Sequence, residues 1–456
     1  MAENKKTVVV IGLGRFGSMF AKKAANLGHD VIAIDHNPKN IENIQEFLSV
    51  YAVADIKTDG KNILRKLGAE NADVGVVAIG TDISASAISV LELEEIGVSS
   101  IIAKASDTEH IRILEKMGVD NIISPEKDAG VAMAYVKLLG GKAVIHDLQG
   151  TYIDMFVLEI DAPKKLWNVA VRHSRLREDF QMTLVGIRRD GKLIVIPSPD
   201  EEIQEGDKLL LAASSKAIDT FVRKFIPLDT SGIVLNIGLG RFGFNFVKKA
   251  YDLGYDVIAI DKDENKVNAV KNYVRLAASM NIADDTGLEA LRSLVNRPPM
   301  LSAIATGEDL ASSLMGVFHS MDVGAMDFAV KALSAPHVKV LMKIGLRYTQ
   351  AKTKEKQIVL PEEEAGSSSA LQVLEGKVMG LEGVFLSIIY VPSTLIGKKV
   401  RESGLREFHR LTLVGIIRDN DFIPPSPDEE FQVGDRLLIM GAKEHLDAYK
   451  EHIGAE

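Results

Sequence analysis

The hexapeptide Gly12-Leu13-Gly14-Arg15-Phe16-Gly17 returns unchanged as Gly238-Leu239-Gly240-Arg241-Phe242-Gly243, 226 residues later. Other landmarks keep the same order. VIAID at 31–35 recurs at 257–261, TLVGI at 183–187 recurs at 412–416, and PSPDEE at 197–202 recurs at 425–430, each time with a Gly-Asp pair just beyond. Solenoid units run about 20 to 50 residues, so a period this long means two copies of a whole module. The copies extend from about 6 to 226 and from 231 to 453, and Pro227–Gly232, polar with small residues, is the expected join.

Each copy changes character about two-thirds of the way along. The first part alternates short apolar runs (8–11, 31–34, 74–79, 101–104 and 122–123) with amphipathic stretches (16–27, 84–96 and 109–117). Nearly all-apolar strands separated by helices predict a parallel sheet covered on both faces, a doubly wound, Rossmann-like α/β domain. The remainder, 152–225 in copy one, reads as strand, helix and two strands around a Pro-Ser-Pro turn, a small α+β lobe. The expected divisions are 6–145 and 231–375 for the large domains and 150–226 and 380–453 for the lobes. Copy two carries an extra polar stretch, Arg347–Ile358, which reads as a solvated surface loop.

The glycines carry chemistry because of their context. Gly12, Gly14 and Gly17 follow an apolar strand and open a helix. That pattern allows a tight turn, lets backbone N–H groups approach a phosphate, and aims the positive end of the helix at it. Asp35 closes the next strand, where a carboxylate accepts hydrogen bonds from ribose hydroxyls and disfavours a 2′-phosphate, so NADP is not the expected dinucleotide. Gly238, Gly240, Gly243 and Asp261 repeat the arrangement. Both loops are therefore candidate adenine-nucleotide sites, with Phe16 and Phe242 inside them. Arg15 and Arg241 either reach a terminal phosphate, of their own ligand or of a neighbour's, or are solvated; their recurrence at one loop position favours the phosphate.

Other chemistries find little support. Acidic residues outnumber basic ones, 63 to 54, for a formal charge of -9, which disfavours binding to a phosphate backbone. The absence of cysteine removes disulfides, thiolate nucleophiles and Cys-ligated zinc. There is no P-loop, no GxSxG elbow and no HExxH, and the ten histidines are scattered. His110 and His337 do occupy equivalent points, where a helix-start or interface role outweighs proton transfer. No apolar run nears the roughly 18 residues that a membrane crossing needs, and the first residues lack an export signal, so any link to a membrane is expected to go through a partner.

The chain resembles the RCK (regulator of potassium conductance) family in its tandem-copy form, the TrkA-type peripheral subunits of Trk potassium uptake systems. VVVIGLGRFG at 8–17, VIAID at 31–35 and VVAIGTDISAS at 76–86 carry the resemblance. So, more specifically, does the run through Ile102, Lys104, His110, Glu115, Lys116, Gly118 and Ile123 to Ser124-Pro125-Glu126-Lys127. The resemblance covers nearly the whole chain, and the lobes look like the RCK C-terminal domain.

Several expectations follow from the resemblance. The protein is a cytoplasmic, non-enzymatic regulatory subunit at the inner face of the membrane, where it gates a potassium-translocating partner. Four chains form a homotetramer whose eight modules make a ring, and exchange of ATP, ADP or NAD(H) alters that ring. Gly12, Gly14, Gly17, Asp35 and Asp55 would hold the nucleotide, and Arg15 would meet its terminal phosphate. Glu126 and its counterpart Glu362 match a glutamate that binds a cation in some rings, though one carboxylate is too few ligands by itself. The C-terminal lobes of some relatives bind cyclic di-AMP. Copy two departs from the pattern, with Asn281 in place of Asp55 and Thr306-Gly307-Glu308-Asp309 in place of Gly80-Thr81-Asp82. Two alternatives stand beside this reading: an NAD-dependent oxidoreductase, which would need an acid–base set not evident here, and an RCK regulator of another cation carrier.

Overall fold

The computed structural model describes residues 5–119, 121–139, 143–147, 155–284, 286–306, 310–332, 335–346, 357–359, 385–418 and 421–453. The chain begins with β1 (Thr7–Ile11), α1 (Arg15–Asn26), β2 (Asp30–Asp35), α2 (Pro38–Glu42), β3 (Val50–Val53), α3 (Ile56–Lys66) and β4 (Val74–Val77). α4 (Ile83–Glu95), β5 (Ile101–Lys104), α5 (Thr108–Lys116), β6 (Asn121–Ile123) and α6 (Pro125–Leu138) complete the first large domain. Its six strands are all parallel, in the order β3-β2-β1-β4-β5-β6.

Both faces of this sheet are covered, as the apolar runs predict. In β1 the two-residue period sends Val9 and Ile11 into one core and Val8 and Val10 into another. α1 covers the second face with Phe16, Phe20, Ala21 and Ala24, an i, i+4, i+5, i+8 stripe along one side of the helix. Gly28 beyond its end takes a φ of +90°, the left-handed conformation that stops the helix.

The first lobe runs through β7 (Ala143–Asp147), β8 (Met155–Asp161), β9 (Val169–Ala170), α7 (Leu176–Phe180), β10 (Thr183–Arg189), β11 (Lys192–Val195), β12 (Glu202–Ile203), β13 (Lys208–Ser214) and α8 (Ser215–Phe225). Its antiparallel sheet, β11-β10-β13-β8-β7, is larger than the sequence pattern suggests. β7 pairs with β8, so residues 143–147 belong to the lobe's sheet although they straddle the expected end of the large domain.

Copy two repeats the order. β14 (Ile233–Ile237), α9 (Arg241–Asp252), β15 (Asp256–Asp261), α10 (Glu264–Val270), β16 (Leu276–Ser279), α11 (Gly287–Leu294), β17 (Leu301–Ile304), α12 (Leu310–Asp322), β18 (Phe328–Lys331), α13 (Ala335–Lys343) and β19 (Gln357–Val359) form its large domain. The strand order, β16-β15-β14-β17-β18-β19, matches copy one. Residues 357 and 358, expected at the end of a surface loop, instead pair with β18; residues 347–356 lie outside the described residues. The second lobe contributes β20 (Phe385–Tyr390), α14 (Leu405–His409), β21 (Thr412–Arg418), β22 (Asp421–Ile423), β23 (Arg436–Gly441) and α15 (Lys443–Ile453), with sheet order β20-β23-β21-β22.

The domains sort into two compact units by kind rather than by copy. One contains both parallel sheets, from 1–134, 149–152 and 229–374; the other contains both lobes, from 135–148, 153–228 and 375–456. In the first unit, α6 meets α9 so closely that a Cβ on Gly130 would lie 2.5 Å from the Phe242 carbonyl oxygen. In the second, Val157, Val185, Leu210 and Ala212 of one lobe share a core with Val414, Leu438 and Met440 of the other.

The recurring lobe motifs are explained by this packing. TLVGI places a β-bulge in β10 between Leu184 and Gly186 and in β21 between Leu413 and Gly415. The Gly-Asp pair after PSPDEE supplies Asp207, which takes Arg189 Nε and Nη2 at 2.8 Å each and the Gln204 N–H at 2.8 Å. Asp435 does the same with Arg418 and Gln432.

Candidate functional site

The glycine loop between β1 and α1 is built from three glycines with three different reasons to be there. Gly12 holds a φ of +94°, which a side chain disfavours. A Cβ on Gly17 would overlap the Gly12 carbonyl oxygen. Gly14 is different: nothing stands within 4 Å of where its Cβ would be, and its φ of −61° suits any residue. Protein packing does not require a glycine there. The second loop repeats all three, with Gly238 at φ +97°, Gly243 against the Gly238 carbonyl, and open space at Gly240.

α1 starts with neither a side-chain cap nor an acidic residue in its first turn, and α9 matches it. The cap residues thus offer their first N–H groups no side-chain acceptor, at the positive end of the helix dipole. Asp35, only 5% exposed, braces the loop, its Oδ2 accepting the Leu13 N–H at 2.5 Å and its Oδ1 the Asn37 N–H at 2.7 Å. Each oxygen keeps a second lone pair for a hydroxyl. Asp261 holds the Leu239 N–H at 2.5 Å and the Asp263 N–H at 2.9 Å. In copy two Asn236 adds a brace that copy one, with Val10, lacks: its buried Nδ2 donates to the Gly238 carbonyl at 2.8 Å.

A cleft of about 390 Å³ opens over the first loop, at the carboxyl ends of the strands, within the range of small-molecule sites and at the place such sheets bind ligands. It brings together Gly12, Gly14, Arg15, Phe16, Asp35 and Asp55, with Gly17 closing the loop beneath. Asp55 caps α3, accepting the Lys57 N–H at 3.0 Å. Lys57 Nζ bonds Asp82 Oδ2 at 2.8 Å at this end; contact with Lys57 and the α4 backbone lowers the Asp82 pKa. In copy two, Asn281 likewise accepts the N–H two residues on, from Ala283 at 3.2 Å, and donates to Asp284 Oδ1 at 2.7 Å.

The opposite end of the cleft contains a residue that loop position alone does not place. Arg241, from the loop of copy two, lines the cleft of copy one, with Nη1 3.5 Å from Glu126 Oε2. Lys104 Nζ lies 3.4 Å from Glu126 Oε1 and 5.9 Å from the centre of the Phe16 ring. Burial pushes the Glu126 carboxyl upward in pKa, but Lys104, Arg241 and Lys331 outweigh it and hold the group below its ordinary value. Among the described residues no cluster of three or more His, Asp and Glu is placed to hold a metal, and Glu362 lies outside them. The repeat supplies a second loop arginine, but its place beside the first domain is a contact between distant segments that the sequence period does not give.

The two histidines are buried. His110 accepts the Ser106 N–H on Nδ1 at 3.2 Å, an arrangement that puts the proton on Nε2, 3.0 Å from Ser86 Oγ. Burial lowers its pKa, Asp107 raises it and Arg241 lowers it further. His337, 3% exposed, is lowered by burial. Neither lines the cleft.

A second electrostatic feature lies between the lobes. Arg177 and Arg406 occupy equivalent positions, and each donates across to the other lobe: Arg177 Nη2 to the Leu413 carbonyl at 3.4 Å and Arg406 Nη2 to the Pro197 carbonyl at 2.5 Å. Burial and the nearby Arg406 push the Arg177 pKa down to about 10, and burial lowers that of Arg406. Among the described residues neither forms an ion pair.

Comparison with known proteins agrees with this architecture. The TrkA-N domain model matches twice, at 8–125 and 234–349, and the TrkA-C domain model twice, at 155–226 and 384–454. The chain is 33% identical over 218 residues to the Ktr system potassium uptake protein A of Bacillus subtilis, a match covering 47% of this chain and 95% of that protein. It is 23% identical over 457 residues to the Trk system potassium uptake protein TrkA homolog of Archaeoglobus fulgidus, covering 97% and 99%. Two solved structures share the fold: the GsuK RCK domain (TM-score 0.56, 16% identity, 100% of this chain and 96% of that one) and the GsuK channel bound to NAD (TM-score 0.57, 15% identity, 100% and 80%). With both models matched in order and in duplicate along most of its length, the chain belongs to the TrkA family of potassium uptake proteins, as a tandem of two TrkA-N and two TrkA-C domains.

Proposed function

We propose that the chain is the nucleotide-responsive regulatory subunit of a Trk/Ktr-type potassium uptake system, binding without turnover. The observation that carries this reading is the cleft over the first loop, completed by Arg241 from the second copy. An adenosine ribose would sit on Asp35, its phosphates on the α1 N-terminus beside Gly14, and a terminal phosphate against Arg241. A ligand that draws Arg241 from Glu126 changes a contact between copies, and differential contact of this kind is what shifts a conformational equilibrium. The ligand class is ATP, ADP or NAD(H). A cation at Glu126 would have to displace Lys104 or Arg241.

Among the described residues no helix is long and apolar enough to cross a membrane, and we propose attachment to the inner face through a potassium-translocating partner. We further propose a homotetramer of eight modules, which native mass spectrometry tests. The functional test is calorimetric titration of ligand-free protein with ATP, ADP, NAD+ and NADH, repeated with Gly14→Asp and Gly240→Asp. Mutual competition, lost loop by loop, supports the reading; absence of nucleotide binding ends it. Turnover of NADH with carbonyl substrates would favour the oxidoreductase alternative.

A second reading rests on Arg177 and Arg406. Two half-buried guanidiniums near one another, with burial and Arg406 outweighing the pull of Glu178 on Arg177, are held at a cost that an anion relieves. We read the pair as the seat of a phosphodiester effector such as cyclic di-AMP.

A further inference from the structure

The two lobes repeat one fold but differ at a matched pair of side chains. In the first lobe Phe180 closes α7 and Lys224 is the next-to-last residue of α8, with Lys224 Nζ 4.8 Å from the centre of the Phe180 ring. In the second lobe the same helix positions, the end of α14 and the next-to-last of α15, hold His409 and His452. A contact of a cation with an aromatic face is thereby replaced by two imidazoles whose ring centres lie 5.3 Å apart.

That separation is the one a shared metal ion imposes. With metal–nitrogen bonds of about 2.0 Å at a tetrahedral angle, two imidazoles on one ion have ring centres about 5.2 Å apart. The buried Tyr449 ring packs against His409, 4.6 Å away between centres. His452 is exposed, so an ion can reach the pair from solvent. Burial, and then the charge of His452, push His409 below the ordinary imidazole pKa, which keeps the ring unprotonated near neutral pH, as a metal ligand must be.

We infer that His409 and His452 form a two-imidazole site for a divalent metal of the zinc, nickel or copper class, in the second lobe at a place where the first has none. Nitrogen ligands favour these ions over calcium and magnesium, which take oxygen. Among the described residues no third His, Asp or Glu joins the pair to hold an ion, so water fills the remaining positions and binding is reversible rather than structural. The ion ties α14 to α15. Because α14 also carries Arg406, whose guanidinium donates to the Pro197 carbonyl, metal steadies an element that reaches the other lobe. The site is independent of the nucleotide cleft.

The test is calorimetric titration of the full chain, stripped of metal with a chelator, with Zn2+ near neutral pH. Two variants are titrated beside it: His452→Lys, and His409→Phe combined with His452→Lys, which installs the pair that the first lobe already accommodates. The parent is expected to take up one equivalent more than either variant, and Ca2+ should not displace it. Equal uptake by parent and variants overturns the site. So does displacement of the extra equivalent by Ca2+, which would place the ion on carboxylates. Should the double variant fail to fold, His452→Lys, a change at an exposed helix position, still decides.

Discussion

Arg241 Nη1 stands 3.5 Å from Glu126 Oε2, although the two residues belong to different copies of the module. Glu126 opens α6 and Arg241 opens α9, the helices that meet at Gly130. The same close approach that joins the two parallel-sheet domains thus delivers an arginine to the first cleft.

Replacing Arg241 with alanine is expected to weaken ATP binding by about tenfold to a hundredfold, the worth of a charge-assisted contact, and to weaken binding of adenosine little. Calorimetry with both ligands checks this. An equal loss for both would mean that Arg241 supports the fold of the cleft and not a phosphate.

The glycines of the first loop should separate stability from binding. Gly17→Ala forces a Cβ onto the Gly12 carbonyl and should cost about 3 kcal/mol. Gly14→Ala meets open space and should stay within about 1 kcal/mol of the parent while losing nucleotide affinity. Urea unfolding and ligand titration on the same samples distinguish the two effects.

Acid should weaken the lobes through Asp207 and Asp435. Arg189 holds the Asp207 carboxyl below its ordinary 3.8; burial pushes Asp435 up, but Arg418 outweighs it and leaves it below 3.8 too. Because the folded values lie below the unfolded ones, the stabilisation is complete above about pH 5 and is lost as the pH falls through 3.8 and beyond. Arg189→Gln with Arg418→Gln should lower stability at neutral pH by a few kcal/mol, roughly the cost of stranding buried carboxylates, and flatten the acid limb. Unfolding followed from pH 3 to 6 measures both.

Arg177→Gln should raise the melting temperature of the ligand-free protein, since it removes a half-buried cation that the charge of Arg406 disfavours. Thermal scans with cyclic di-AMP should then show stabilisation of the parent and none of the variant. A variant that melts lower than the parent without ligand would assign Arg177 a purely structural role.

Much of this architecture is legible in the sequence, because the repeat and the apolar runs are local signals that one period or one alternation reveals. The glycine loops and Asp35 fall where the spacing places them. Arg241 in the other copy's cleft and the shared core of Val185 with Val414 are contacts between distant segments, and no local period encodes them. β7 escapes for a different reason: Ala143–Asp147 has too few residues to declare its partner, and only pairing with β8 assigns it to the lobe. Gly14 is the converse case, a residue whose reason is invisible in its packing and visible in its motif.

The joining of Arg241 and Glu126 on one polypeptide also sets how the protein scales. A site assembled from separate chains has an occupancy that depends on how many of them are present; here the second half arrives at a fixed, high effective concentration supplied by the chain itself. If the first cleft takes the nucleotide proposed above, a cell making few copies or many would obtain the same midpoint there, and the two loops, no longer bound to be identical by symmetry, are free to differ in what they hold.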